Sequence, residues 1–373
     1  MADDLISVVL PTYNGGKYLS ESVDSILEQT YKKWELIIVD DCSDDNVPQI
    51  ADEYSGMDKR IKVIHNSVNM RLPQSLNIGF AAAEGKLLTW TSDDNRFLPD
   101  AFQIMKQYFE EHSSAYMVHA KMHGIDEYGV HRQELDLNYG DNICVQNNVG
   151  ACFMYKREVY ESVGGYDADL FCVEDYDYWI RVKKLFGKID QIDKVLYEYR
   201  WHGESLNATK RDLIDRQVGR LREKHMGYIL NTLRQDKEAL YCLYGDAIKR
   251  GCSAALLDGI VQLIPEHKNE IITVSKEAEF IIFGAGEFGR KAALLLADRA
   301  VFFADNDKKK IGSVKCGLRI ISFEELTGLS GTYCIMVAVD SPSLYSMVSQ
   351  LIMHGIINYC TYQYYCWHTK RYL

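Results

Sequence analysis

The chain has 373 residues, 47% hydrophobic and 25% charged, with 42 Lys and Arg against 53 Asp and Glu and a formal net charge of −11. That length suits two domains with ample core, and that composition excludes a disordered chain. The acidic balance argues against a nucleic-acid partner, whose footprint is a basic face, but not against a small anion held through a metal. The ten cysteines (42, 144, 152, 172, 242, 252, 316, 334, 360, 366) are scattered with no Cys-x-x-Cys pair. They read as reduced thiols rather than a disulfide framework or a zinc site. The opening MADDLISVVLPTYN is acidic and runs straight into a strand, unlike a signal peptide, and no apolar run approaches a membrane span. The expected location is cytoplasmic, with the inner face of the membrane as the alternative.

In chain order, residues 5–10 (LISVVL) are a nearly continuous apolar run, the mark of a parallel strand covered on both faces. Pro11-Thr12-Tyr13-Asn14-Gly15-Gly16 ends it, and Leu19, Val23, Ile26 and Leu27 then share one helical face. Residues 35–39 (ELIIV) predict a second buried strand that stops at Asp40-Asp41, and residues 61–65 (IKVIH) a third. Residues 74–83 read as helix and 86–91 as a fourth strand. Strands alternating with helices predict an α/β fold on a parallel sheet. Ligands of such sheets sit beyond the carboxyl ends of the strands. Pro11 to Asn14, Asp40-Asp41 and Asp93-Asp94 all fall there, so they should converge on one crevice.

The run 86–99 (KLLTWTSDDNRFLP) is central, because Leu87, Leu88 and Trp90 give way abruptly to Asp93-Asp94. Adjacent carboxylates at a strand tip repel, and a divalent cation with oxygen ligands offsets that; a solvated turn is the ordinary alternative. Residues 148–165 read as a small-residue strand and a short helix ending at Gly164-Gly165. Residues 175–185 are helical in period, with Tyr178, Val182 and Leu185 on one face. Asp175 therefore sits near a helix N-terminus, where the dipole favours any acid.

Five motifs, in this order and spacing, carry a resemblance: Val8-Val9-Leu10-Pro11-Thr12-Tyr13-Asn14, Ile37-Ile38-Val39-Asp40-Asp41-Cys42-Ser43-Asp44, Asn69-x-x-Leu72-Pro73-x-x-Leu76-Asn77-x-Gly79, Ser92-Asp93-Asp94, and Glu174-Asp175-Tyr176-Asp177-Tyr178-Trp179. Residues 1–210 resemble the inverting, nucleotide-sugar-dependent glycosyltransferases of family 2, with the GT-A fold. The resemblance implies that Pro11, Thr12 and Tyr13, with Asn14, line the donor nucleotide and that Asp41 accepts hydrogen bonds from uracil or ribose. It puts Asp94 at the metal-binding carboxylate of the family's Asp-x-Asp signature, for Mg2+ or Mn2+. Ser92 stands where the first Asp usually is, so that role passes to Asp93. The family usually has Gly where Arg71 stands; a cation there touches a phosphate or sugar carboxylate, or lies on the surface. Asp175 matches the general base, and Glu174, Asp177 and Trp179 orient the base or the acceptor. In Tyr199-Arg200-Trp201-His202, His202 is the candidate last metal ligand or diphosphate contact, with a packed histidine as the alternative.

Residues 211–275 predict amphipathic helices, a helical connector packed in cis; a partner or peripheral membrane association is the alternative. Residues 276–373 predict a second, smaller α/β domain. There a strand at 279–283 (EFIIF) leads into Gly284-Ala285-Gly286-Glu287-Phe288-Gly289, a helix from Arg290, a strand at 300–303 and Asp305, 21 residues after Gly284. That is the order a dinucleotide fingerprint needs, with Gly284, Gly286 and Gly289 as a backbone cradle and Asp305 as the acid. A further strand at 333–339 fits, and the block resembles the Rossmann-like domains that accompany sugar-modifying enzymes. It has no evident catalytic residues, so ligand sensing or a structural role is expected.

The expected activity is an inverting hexosyltransferase. It moves sugar from a nucleoside-diphosphate sugar, a UDP-sugar, to a glycan or lipid-linked acceptor in bacterial surface polysaccharide or glycoconjugate synthesis. One rival, a nucleotidyltransferase, needs a Gly-rich phosphate loop with Lys or Arg after the first strand, and Asn14-Gly15-Gly16-Lys17 is a poor match. The other rival is a non-catalytic nucleotide-sugar sensor.

Overall fold

The computed structural model describes residues 4–137, 143–264, 278–362 and 365–366. The chain forms two compact units, Met1–Leu221 and Arg222–Leu373. In the first, β1 (Ile6–Thr12), α1 (Leu19–Leu27), β2 (Trp34–Asp40), α2 (Val47–Met57), β3 (Ile61–His65), α3 (Leu72–Ala82) and β4 (Leu87–Trp90) alternate. These strands pair in parallel in the order β3-β2-β1-β4. β1 and β2 are buried along their whole length, which is why they read as unbroken apolar runs. β1 extends two residues beyond the predicted run and takes in Pro11 and Thr12.

The remainder of the unit is β5 (Arg96–Phe97), α4 (Ala101–Glu111), β6 (Met117–Ile125), β7 (His131–Leu135), β8 (Phe153–Lys156), α5 (Arg157–Val163), α6 (Glu174–Phe186), β9 (Asp190–Arg200), α7 (Leu206–Thr209) and the start of α8 (Arg211–Lys224). The sheet continues from β4 as β8-β6-β9-β5, with β7 on β6, and is mixed: β8 runs antiparallel to β4 and β6, and β9 parallel to β6. Leu19, Val23 and Ile26 of α1 and Phe102, Met105 and Phe109 of α4 close one core over this sheet. On α6, Tyr178 and Val182 are buried as predicted, whereas Leu185 is exposed.

The second unit holds α9 (Met226–Leu233), α10 (Lys237–Lys249) and α11 (Ala254–Leu263), then β10 (Phe280–Phe283), α12 (Glu287–Leu296), β11 (Ala300–Ala304), β12 (Val314–Lys315), β13 (Leu318–Ile321), α13 (Phe323–Leu329), β14 (Cys334–Val337), α14 (Ser341–Met353) and β15 (Tyr359–Thr361). Its sheet order is β12-β13-β11-β10-β14-β15, parallel except for β12. The helical connector, expected to pack on the first domain, is divided between the units: α9 to α11 fall in the second. Buried Tyr241 of α10 meets Tyr345 of α14 at 5.6 Å between ring centroids. The expected boundary at 275 lies outside the described residues. Among the described residues no helix is long and apolar enough to cross a membrane.

Candidate active site

In the first unit the strand order reverses between β1 and β4, and a crevice opens beyond such a reversal. Thr12 at the tip of β1 donates its hydroxyl to Asp93 Oδ2, 2.5 Å away, beyond the tip of β4. The loop after β1 has to pass close over this pair: a Cβ on Gly15 would lie 1.8 Å from Asp93 Oδ2. Burial, then the neighbouring Asp94 charge, pushes the Asp93 carboxyl up to about 7. Pro11 is buried within β1, while Tyr13 is half exposed above it. Asn14, at φ 56°, zips this loop to the one after β2: its N–H donates to Ser43 Oγ and its Oδ1 accepts from Asp44 N–H, both at 3.0 Å.

Asp94 accepts from Ser92 Oγ at 2.5 Å, and its other oxygen shares a hydrogen with His202 Nε2 at 3.0 Å. His202 packs edge-on to Tyr18, and its Nδ1 is buried with no hydrogen-bond partner. Arg200, 2% exposed, holds the turn from beneath. Its Nε donates to the Asp94 carbonyl at 2.8 Å, a terminal nitrogen donates to Glu21 Oε2 at 2.7 Å, and its backbone N–H donates to Asn95 Oδ1 at 2.7 Å. Among the described residues no group of three or more His, Cys, Asp or Glu is assembled for a metal. Asp94 and His202 offer one carboxylate oxygen and one imidazole nitrogen, and the orphaned Nδ1 shows that this ring lacks the outer partner that fixes a metal-bound histidine. That pair suits a divalent ion which completes its shell with phosphate oxygens and water.

Asp41 is buried, and its carboxylate accepts from Asn66 Nδ2 (2.8 Å), Met70 N–H (2.7 Å) and Arg71 N–H (2.8 Å). It therefore shapes the loop ahead of α3 and keeps little capacity for a nucleotide. Arg71 sits at φ 68°, ψ 161°, a region that costs a side-chain-bearing residue on the order of 1–3 kcal/mol.

Glu174 and Asp175 open α6, three and four residues after Phe171. Asp175 Oδ2 accepts from Asn147 Nδ2 at 2.9 Å and Oδ1 from Tyr176 N–H at 2.6 Å; burial raises its carboxyl above the ordinary value. Glu174 is 3% exposed, its Oε2 has no partner, and burial followed by the Asp175 charge pushes it up to about 8. Asp177 is fully buried and accepts from Arg181 Nε at 2.8 Å; Arg181 in turn donates to the Val163 and Gly165 carbonyls. Trp179 is fully buried against Phe153, 4.5 Å between centroids. Both are expected to orient the base or the acceptor; fully buried, they touch α6 and its surroundings rather than solvent, and α6 carries Asp175. Tyr199 lies within electrostatic reach of both carboxylate sites: burial, then Asp94 and also Asp175, raise its hydroxyl to about 12.

The family model described as Glycosyl transferase family 2 matches residues 7–164. The putative glycosyltransferase EpsE of Bacillus subtilis (strain 168) is 30% identical over 212 residues, 55% of this chain and 75% of that protein. The chain belongs to glycosyl transferase family 2. Another relative, the putative teichuronic acid biosynthesis glycosyltransferase TuaG of the same organism, is 25% identical over 212 residues, 55% of this chain and 82% of that protein. A solved structure described as mannosyltransferase PcManGT from Pyrobaculum calidifontis in complex with GDP-Man and Mn2+ matches with a TM-score of 0.50 at 14% identity. It covers 71% of this chain and 81% of that one, a likeness of fold, GT-A.

Sequence reasoning about this family 2 chain missed Arg200 and Asn147. Arg200 had a signal, since it stands two residues before His202, but nothing in the sequence shows that its guanidinium turns inward. Asn147 lies in a stretch without periodicity. In the second unit the dinucleotide fingerprint is present but internally satisfied. Gly284, at φ 115°, has the Ala338 carbonyl 2.6 Å from where a Cβ would be, and Gly289 has the Gly284 carbonyl at 2.0 Å. Asp305, the expected acid of the fingerprint, accepts from Ala285 N–H (2.8 Å), Asp307 N–H (2.9 Å) and Lys310 Nζ (3.1 Å).

Proposed function

We propose that this family 2 glycosyltransferase transfers a hexose with inversion from a nucleoside-diphosphate sugar, a UDP-sugar, to an acceptor hydroxyl. The observation that carries this reading is that the Asp94–His202 pair and the Asn147-oriented Asp175 carboxylate both lie within electrostatic reach of one buried side chain, Tyr199. Asp175 takes the acceptor O–H proton as the oxygen attacks the anomeric carbon from the face opposite the leaving diphosphate. Its raised affinity for protons, which follows from burial, suits a base; Asn147 and the Tyr176 N–H fix its two oxygens. Thr12, Tyr13 and Asn14 form the donor side, with Asp93 held by Thr12. Asp94 and His202 would hold Mg2+ or Mn2+, which when bound supplies positive charge against the diphosphate. The Mn2+ of the mannosyltransferase fold relative supports that choice, and the description of TuaG supports a cell-surface polysaccharide as the setting.

Nucleotide release from a panel of UDP- and GDP-sugars by the full chain tests the reading. Calorimetry with UDP tests the metal: chelation by EDTA and Asp94→Ala are each expected to weaken binding by about tenfold or more. Undiminished binding in both removes the metal role. Release from no donor, with UDP still bound, favours the sensor.

A further inference from the structure

Arg71 occupies a position where a glycine would be unstrained. Its backbone lies at φ 68°, ψ 161°, a region essentially reserved for glycine. A strained side chain persists where the surroundings hold it in place, and such residues cluster at ligand sites. The Arg71 N–H is anchored to the buried Asp41 carboxylate at 2.8 Å, on the nucleotide side of the crevice. The guanidinium leans the other way, 5.7 Å from the centroid of the Phe171 ring, on the segment that leads into Glu174 and Asp175. One residue thus bridges the donor loop and the acceptor segment.

The guanidinium is exposed, and among the described residues it makes no hydrogen bond and no ion pair. In a chain with 53 acids against 42 bases, a cation left without an acid is chemically conspicuous. Two further features bias the same spot toward negative charge. α3 begins at the next residue with no side-chain cap, so the positive end of an 11-residue helix opens there. Lys210 also lies within electrostatic reach of Cys172, next to Phe171.

We propose that Arg71 is a specificity residue that reads an anionic oxygen group on the substrate, either a carboxylate on the sugar being transferred or a phosphate on the acceptor. A planar guanidinium with free donors takes either group in a bidentate fork, and the aromatic face behind it fixes the plane. The proposal rests on the donor–acceptor reading of this crevice. It makes the chain selective for a charged glycan building block, which the net charge of −11 would otherwise repel.

Calorimetry on the full chain with Mn2+ uses two matched pairs of probes: UDP-glucuronate against UDP-glucose, and, with UDP bound, glycerol 3-phosphate against glycerol. UDP alone is the control. One anionic probe is expected to bind about tenfold more tightly than its neutral partner. Preference in the first pair assigns the charge to the donor, and preference in the second assigns it to the acceptor. Arg71→Gly, which relieves the backbone, and Arg71→Gln, which keeps the strain but not the charge, should both erase that preference while UDP affinity stays within twofold. A wild-type chain that binds UDP but shows no preference in either pair overturns the proposal, as does a preference that survives both substitutions. A wild-type chain that fails to bind UDP overturns the donor reading and this proposal with it.

Discussion

The two units use one strand order around their first strand. β3-β2-β1-β4 in the first and β13-β11-β10-β14 in the second both reverse direction beside it. Each has a loop that closes over the reversal and an acid beyond a neighbouring strand. The polar groups at the two places are in opposite states. In the second unit Asp305 accepts from its own loop and from the loop after β10, and Lys315 Nζ donates to the Ala285 and Gly286 carbonyls at 2.7 and 2.9 Å. In the first unit Glu174 Oε2 and His202 Nδ1 are buried without partners, and Asp93 and Asp94 crowd each other. A topological crevice is an opportunity; unfilled hydrogen-bonding capacity shows which of the two is arranged for an incoming ligand.

The sharpest way to break that contrast is Asp175→Asn. The amide keeps the size and one acceptor oxygen, so it can accept from Asn147 or from the Tyr176 N–H but not from both, and it takes no proton. The expected result is a fall in kcat on the order of a hundredfold to ten-thousandfold, with UDP affinity by calorimetry unchanged. Retained turnover would place the base elsewhere. Asp305→Ala probes the opposite side of the comparison. It leaves the Ala285 and Asp307 N–H groups unpartnered and Lys310 with Asp307 alone, 4.0 Å away, so about 1–3 kcal/mol of unfolding free energy should be lost in denaturant titration, with transfer unaffected. A fall in transfer with folding intact would mean that this loop serves the reaction.

The last test is a pH signature of Glu174. Its folded carboxyl is raised to about 8, by burial first and by Asp175 second, from an ordinary 4.5. The folded state therefore holds a proton that the unfolded state gives up. The stability contributed is complete below pH 4.5 and is lost as the pH rises through 8. Glu174→Gln is neutral throughout. Its thermal midpoint should match that of wild type near pH 4.5 and exceed it progressively up to pH 8. Parallel curves across this range would show that Glu174 is ionised in the folded protein.

The first four strands were legible because β1, β2 and most of β4 are covered on both faces and leave continuous apolar runs. The mixed half of the sheet left no comparable mark. β9 reads DQIDKVLYEYR and β6 carries Lys121 and two histidines within a largely buried strand, so neither leaves a continuous apolar run; α2 and α4 also went unread, although Phe102, Met105 and Phe109 of α4 share one helical face. At the candidate site the strand-tip acids were legible as positions but not as roles. Asp41 and Asp177 look alike in sequence to Asp94 and Asp175, and only the donors around them distinguish an acid that shapes a loop or a helix from one that faces the crevice. Arg71 was legible as a departure, whereas its positive φ is visible only in three dimensions.

Arg200 has a kinetic consequence. Its guanidinium also donates to the carbonyls of Asp126 (3.3 Å) and Glu127 (3.2 Å), so four chain segments meet at one buried cation: β9 itself, the Asp94 turn, α1 through Glu21, and the turn between β6 and β7. A turn stapled this way has no ordering step left to perform when a donor arrives. Association at the Asp93–Asp94 end should then proceed as a single rapid phase, limited by encounter, and any slow phase in a stopped-flow trace belongs to the acceptor side of the molecule.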